Sequence, residues 1–96
     1  MAHEYRWIFS RREGHATMLV NWQPTTKAKG KAMLRVFNSD NQKIAESKPE
    51  NLSLAPGNFL ASSWDLSVEN LAPAIYRVDL LFGEQTVWRD FFRVTD

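Results

Sequence analysis

The chain has 96 residues, 44% hydrophobic, with 12 basic and 11 acidic side chains and a formal charge of +1. That length suits one domain without room for a second core, and the charge balance argues against a nucleic-acid partner bound by phosphate neutralisation. The lack of cysteine excludes disulfides and thiolate metal sites, and no hydrophobic run is long enough for membrane insertion.

Strand-forming residues alternate with polar ones over much of the chain, and no window holds a helical period. Residues 3–10 put Tyr5, Trp7 and Phe9 on one face and Glu4, Arg6 and Ser10 on the other. Ile8 interrupts the polar side, as an edge strand with a partly covered second face allows. Residues 11–15 read as a turn. Residues 17–23 form a second predicted strand, with Met18, Val20 and Trp22 on one face, ended by Pro24, which has no amide for the ladder. Residues 25–31, carrying Lys27, Lys29 and Lys31, read as a flexible basic loop. In the third predicted strand, residues 32–38, Leu34 and Val36 point inward and Met33, Arg35 and Phe37 outward.

Ser39, Asp40 and Asn41 signal a turn, followed by a short strand around Ile44. Residues 46–58 contain Pro49, Pro56 and Gly57 and read as a connection crossing between sheets, with a brief extended piece at 52–54. Residues 59–68 resume the alternation and place Trp64, Leu66 and Val68 on a common face. Residues 71–94 read as a corner, a strand, a tight turn and a returning strand. Short strands punctuated by glycine and proline predict an all-β sandwich or barrel.

The run Val20-Asn21-Trp22-Gln23-Pro24, a basic loop, and then Leu34-Arg35-Val36-Phe37 resembles the second and third strands of a fibronectin type III domain. Leu71-Ala72-Pro73-Ala74-Ile75-Tyr76-Arg77-Val78 resembles the corner of that family, where a tyrosine locks one sheet to the other. This corner is a residue shorter than the usual spacing and has Ala74 where glycine is common. The shorter form also resembles bacterial immunoglobulin-like modules that end in Tyr-Arg-Val, a hairpin and Phe-Arg-Val. The resemblance implies a single antiparallel two-sheet sandwich of about seven strands across the chain. Its core should hold Val20, Trp22, Leu34, Val36, Leu66, Leu71, Tyr76, Val78, Leu80, Phe92 and Val94. The short leader and the end soon after Val94 suggest a domain excised from a longer chain.

Two registers compete for the last hairpin. Gly83-Glu84 suits a two-residue type II′ turn, which pairs Leu80 with Val87 and leaves Trp88 outward beside Asp79. Phe92 and Val94 must still point inward, so this register needs a β-bulge near Arg89-Asp90. A three-residue loop would instead pair Leu80 with Trp88, Tyr76 with Phe92 and Asp79 with Arg89, but drives Asp90 inward. Burying an unpaired carboxylate costs several kcal/mol, against roughly 0 to 1 from an exposed ion pair. The bulged register is preferred.

An outer sheet face should then present Met33, Arg35, Phe37, Arg77, Asp79, Leu81, Phe91 and Arg93, with Trp88 beside it. Arginine and aromatic residues are enriched at protein interfaces, although scattered apolar residues on a sheet face are also ordinary. The expected partner is another protein or neighbouring domains of the same chain. The four tryptophans raise a second possibility, a glycan stacked on exposed rings. Trp22 and Trp64 read as core, which leaves Trp7 and Trp88. The lysines at 27, 29 and 31 lack interleaved aromatics, so a solvated loop is the simpler reading.

His3 and His15 have no neighbouring pattern of nucleophile, orienting carboxylate or second ligand, and no metal or cofactor motif is present. Asp65, Glu69, Asp79 and Asp90 could meet in space as paired carboxylates, but a sandwich of this size seldom forms a deep pocket. The expectation is a non-catalytic interaction or spacer module, in a compartment the sequence leaves open. Carbohydrate binding through exposed aromatics is the alternative.

Overall fold

The structure is a computed structural model that describes residues 8–96. Most of the strand expected over residues 3–10, with Tyr5 and Trp7, therefore lies outside the described residues. The strands are β1 (Ile8–Ser10), β2 (His15–Trp22), β3 (Ala28–Phe37), β4 (Lys43–Glu46), β5 (Glu50–Leu54), β6 (Leu60–Ser67), β7 (Ala74–Phe82) and β8 (Gln85–Thr95). A single 3-10 turn, Arg11–Glu13, joins β1 to β2. The described residues are thus nearly all β.

Six strands form a large sheet in the order β1-β8-β7-β3-β4, with β5 also on β3, and β2 and β6 form a small one. The ten-residue β3 makes this possible. Its first half, Ala28 to Ala32, pairs with β5, while Arg35 to Phe37 pair with β4 along the same edge. Its other edge pairs with β7. The large sheet is mixed, because β1 runs parallel to β8. This corrects the purely antiparallel expectation. Two further corrections follow from β5. Residues 28–31 are paired strand, not loop, and the extended piece before Leu54 stays on the large sheet.

The inward faces of both sheets share one core. Met18 from β2 meets Leu34 and Val36 from β3, Tyr76, Val78 and Leu80 from β7, and Phe92 and Val94 from β8. Phe9, Val20, Trp22, Trp64, Leu66 and Leu71 pack around it, half-buried. Of the expected core, Val20, Trp22, Leu66 and Leu71 therefore sit at its margin, and Met18 holds the centre. The Tyr76 ring stacks on Phe92 with centroids 5.5 Å apart, and Phe9 meets Phe92 edge-on at 5.8 Å. The Tyr76 hydroxyl donates to the Ala72 carbonyl at 2.6 Å, so the shortened corner still satisfies its buried polar end.

The hairpin adopts the strand pairs of the register that was not preferred, through a different turn. Phe82 pairs with Gln85 and Leu81 with Thr86, and then Val87 is skipped, so that Leu80 faces Trp88, Asp79 faces Arg89 and Tyr76 faces Phe92. Gly83 and Glu84 both have positive φ, 59° and 69°, which is the type I′ pattern rather than II′. The bulge exists, but at Val87 beside the turn instead of near Arg89-Asp90. The expected Leu80–Val87 pair and outward Trp88 are accordingly wrong. Asp90 tolerates the inward phase because it is only half-buried and its Oδ1 accepts the Phe91 N–H at 2.8 Å.

Candidate interaction surface

The outer face of the large sheet is built from cross-strand rows. In one row Glu46, Arg35, Asp79 and Arg89 are successive register partners across β4, β3, β7 and β8. Charges therefore alternate along the row, which is the favourable order for directly opposed side chains. Arg35 Nε donates to Glu46 Oε2 at 2.8 Å, and Lys43 Nζ reaches the same oxygen at 3.2 Å. Arg89 grips Asp79 with two bonds, Nε to Oδ1 at 2.8 Å and Nη2 to Oδ2 at 3.1 Å. Arg77 Nε stands 3.3 Å from Asp79 Oδ1 as an ion pair, but without hydrogen-bond alignment.

These contacts shift the groups in the direction expected of paired charges. The Arg35 hydrogen bond, and then that of Lys43, holds the Glu46 carboxyl below its ordinary value. The bond to Asp79 pushes the Arg89 guanidinium up.

The next row is Phe37, Arg77 and Phe91. The Arg77 guanidinium lies 4.1 Å over the Phe37 ring and also donates to Asn41 Oδ1. Asn41 is placed by a turn in which Asn38 Oδ1 accepts from the Asp40 and Gln42 amides, both at 2.9 Å. Ile75 and Arg93 form a third row, and Met33 with Leu81 a fourth. Ile75 is 49% exposed and Phe91 50%, whereas Asp79 and Leu81 are buried although they point away from the core.

Seven of the eight expected partner-binding residues share this face: Met33, Arg35, Phe37, Arg77, Leu81, Phe91 and Arg93. Trp88 does not. Opposite Leu80, it lies on the inner side of β8, 37% exposed, along a groove of about 400 Å³ with Leu19, Val20, Trp22 and Val87.

Sequence reading missed Lys29 and Lys31, which extend the face along β3 opposite Ser53 and Asn51 of β5. Their odd-numbered parity with Met33, Arg35 and Phe37 was the available signal. It was hidden by reading those residues as loop. Glu46 was also missed as a member of the face, and Arg89 was placed there only under the register that was not preferred. Between Lys31 and Arg35 the surface dips into a shallow depression of about 370 Å³, with Met33, Leu81 and Pro49 in its lining and Gly83 and Glu84 on the turn beside it.

The other expectations fall elsewhere. The Trp22 indole N–H donates to Ser62 Oγ at 3.0 Å, and Ser62 in turn donates to Glu50 Oε1 at 2.8 Å. The Trp22 ring lies 5.9 Å from that of Phe82, and Trp64 packs at the core margin. His15 is exposed on β2 opposite Ser67, and His3 lies outside the described residues. The four carboxylates do not converge. Asp65 accepts from Thr17 on the small sheet at 2.8 Å, Asp79 faces outward on the large sheet, and Asp90 lies on β8 opposite Val78. Among the described residues no cluster of three or more histidine or acidic side chains could hold a metal ion. No helix among them is long and apolar enough to cross a membrane.

No protein-family model matches the sequence, and no curated protein matches it. Solved structures do. The alkylpurine DNA glycosylase AlkC of Pseudomonas fluorescens, bound to DNA containing an abasic site analog, aligns with a TM-score of 0.66 at 11% identity, over 95% of this chain and 28% of that one. A β-glucosidase from Listeria innocua in complex with gluconolactone gives 0.66 at 12% identity, over 98% of this chain and 15% of the enzyme. The same enzyme with glucose gives 0.64, also at 12% identity, over 94% of this chain and 15% of the enzyme. The chain thus spans less than a third of each of these proteins. At such identities the likeness is one of fold.

Proposed function

We propose that the chain is an immunoglobulin-like or fibronectin type III-like β-sandwich that acts as a non-catalytic module, docking a protein partner or a neighbouring domain on the outer face of its large sheet. The observation that carries this reading is the pair of adjacent rows in which Asp79 holds Arg89 and Arg77 beside the exposed Phe91. Ordering arginines before a partner arrives lowers the entropy cost of binding, and arginine with aromatics is the composition of interface hot spots. The Tyr76–Ala72 bond and the facing of a small sheet against a larger one support the sandwich reading. The recurrence of a similar fold as 15% to 28% of longer enzyme chains supports a module that works beside other parts of a polypeptide. Only Trp88 among the described tryptophans is exposed, so no pair of rings favours the glycan alternative.

Photo-crosslinking tests the reading. Benzoylphenylalanine in place of Phe91 should give one discrete adduct in the source cells, and Arg35→Glu should abolish it. The same probe at Ser63, on the outer face of the small sheet, should give none. Adducts from Ser63 alone, or from neither position, would leave a spacer without this surface.

A further inference from the structure

This inference rests on the docking reading above and specifies the partner's chemistry. We infer that the depression between Lys31 and Arg35 takes an extended acidic segment of a partner protein, with one apolar side chain seated between carboxylates.

The formal charge of +1 conceals an uneven distribution. Lys29, Lys31, Arg35, Lys43, Arg77, Arg89 and Arg93 all stand on the outer face of the large sheet, and β2 and β6 of the small sheet contain no lysine or arginine. The acids interleaved with these cations are already engaged. Glu46 is held by Arg35 and Lys43, and Asp79 by Arg77 and Arg89. Lys29, Lys31 and Arg93 have no ion-pair partner among the described residues. A partner surface must match that surplus positive charge, and complementarity of this kind steers encounter and rejects basic competitors.

The shape of the depression narrows the choice. Met33, Leu81 and Pro49 give it an aliphatic lining, with Lys31 at one end and Arg35 at the other. Residues four apart on a strand are separated by about 13 Å, with Met33 midway. An extended segment carrying carboxylate, apolar residue and carboxylate at alternate positions has the same spacing. Glu84 is the acid on the rim, on the turn whose Gly83 N–H donates to the Lys31 carbonyl at 3.0 Å.

A single-stranded nucleic acid fits less well. Base stacking needs aromatic rings, and the depression has none. The exposed ring of Phe91 lies two strands away.

The test is an amide NMR titration of the isotope-labelled chain with a capped peptide Ser-Glu-Ser-Leu-Ser-Glu-Ser, its glutamine and lysine counterparts, and oligothymidylate. The glutamate peptide should shift Lys31, Met33, Arg35, Leu81 and Glu84, the glutamine peptide more weakly, and the lysine peptide not at all. Raising salt from about 0.05 to about 0.5 M should weaken the effect. Lys31→Glu should cut the affinity about fivefold or more while the rest of the spectrum stays folded.

If the glutamine peptide binds the same residues as tightly, the acidic chemistry is wrong and the docking reading stands. If oligothymidylate shifts the face at lower concentration than the glutamate peptide, the partner class is wrong. If no peptide shifts the depression, the inference fails, and the Phe91 crosslink decides separately whether the surface docks anything.

Discussion

At Asp79 and Leu81 the outer face of β7 is as dry as its inner face, for a different reason. Inward, Tyr76, Val78 and Leu80 keep 5%, 0% and 3% of their surface exposed, while outward Asp79 and Leu81 keep 4% and 5%. The inner side is covered by the aromatic and aliphatic core that both sheets share. On the outer side no second sheet is present among the described strands, and the cover comes from neighbouring strands of the same sheet. Two guanidiniums close over Asp79, and Met33 flanks Leu81. Arginine suits this role because its long stem can shield apolar surface while its planar head pairs with a carboxylate. An open sheet face can therefore be rigid and partly desolvated before any partner arrives. That distinguishes it from an ordinary solvated face.

The comparison can be broken by substitution. Phe92→Ala removes the ring that both Tyr76 and Phe9 touch and should cost about 3 to 5 kcal/mol in urea unfolding, with little dependence on salt. Asp79→Ala should cost about 1 to 3 kcal/mol, since it strands the buried Arg77 Nε without its anion, and that loss should shrink in high salt. If the alanine variant at Asp79 is neutral, the outer face is solvated and the comparison collapses. Tyr76→Phe keeps the stack on Phe92 but loses the bond to Ala72, and should cost about 1 kcal/mol.

The smallest effect sharpens the electrostatic side. Arg35→Ala should let the Glu46 pKa rise toward its ordinary 4.5, as followed by carboxyl NMR. The carboxyl is lowered in the folded chain, so its contribution to stability is present above the unfolded value and is lost as pH falls through the lowered one. Removing Arg35 should therefore flatten the stability profile in that acid window.

Much of the inner face was legible because alternation alone reports which side is buried. Leu34 and Val36, Tyr76, Val78 and Leu80, and Phe92 and Val94 all point where parity puts them. The outer face was legible as a set of residues but not as a structure. Its order depends on which residue of β8 stands opposite Asp79, and that follows from one skipped residue at Val87. Parity cannot locate a bulge. Sequence alone weighs the Asp79–Arg89 pair against a buried, unpaired Asp90. The bond from the Phe91 amide that satisfies Asp90 and the second bond from Arg89 to Asp79 appear only once the register is known. The pairing of Lys29 and Lys31 with β5 was missed for a similar reason. Their partner strand lies in a proline-flanked segment that reads locally as a connection.

The most direct test of the account observes the arginine side chains themselves. In an Nε–H NMR spectrum near neutral pH, Arg77 and Arg89 should give slowly exchanging, shifted signals, whereas Arg93 should exchange rapidly. Asp79→Asn should collapse the two protected signals toward that of Arg93. Uniformly rapid exchange of all three in the unmodified chain would contradict the claim that this face is ordered in the free chain.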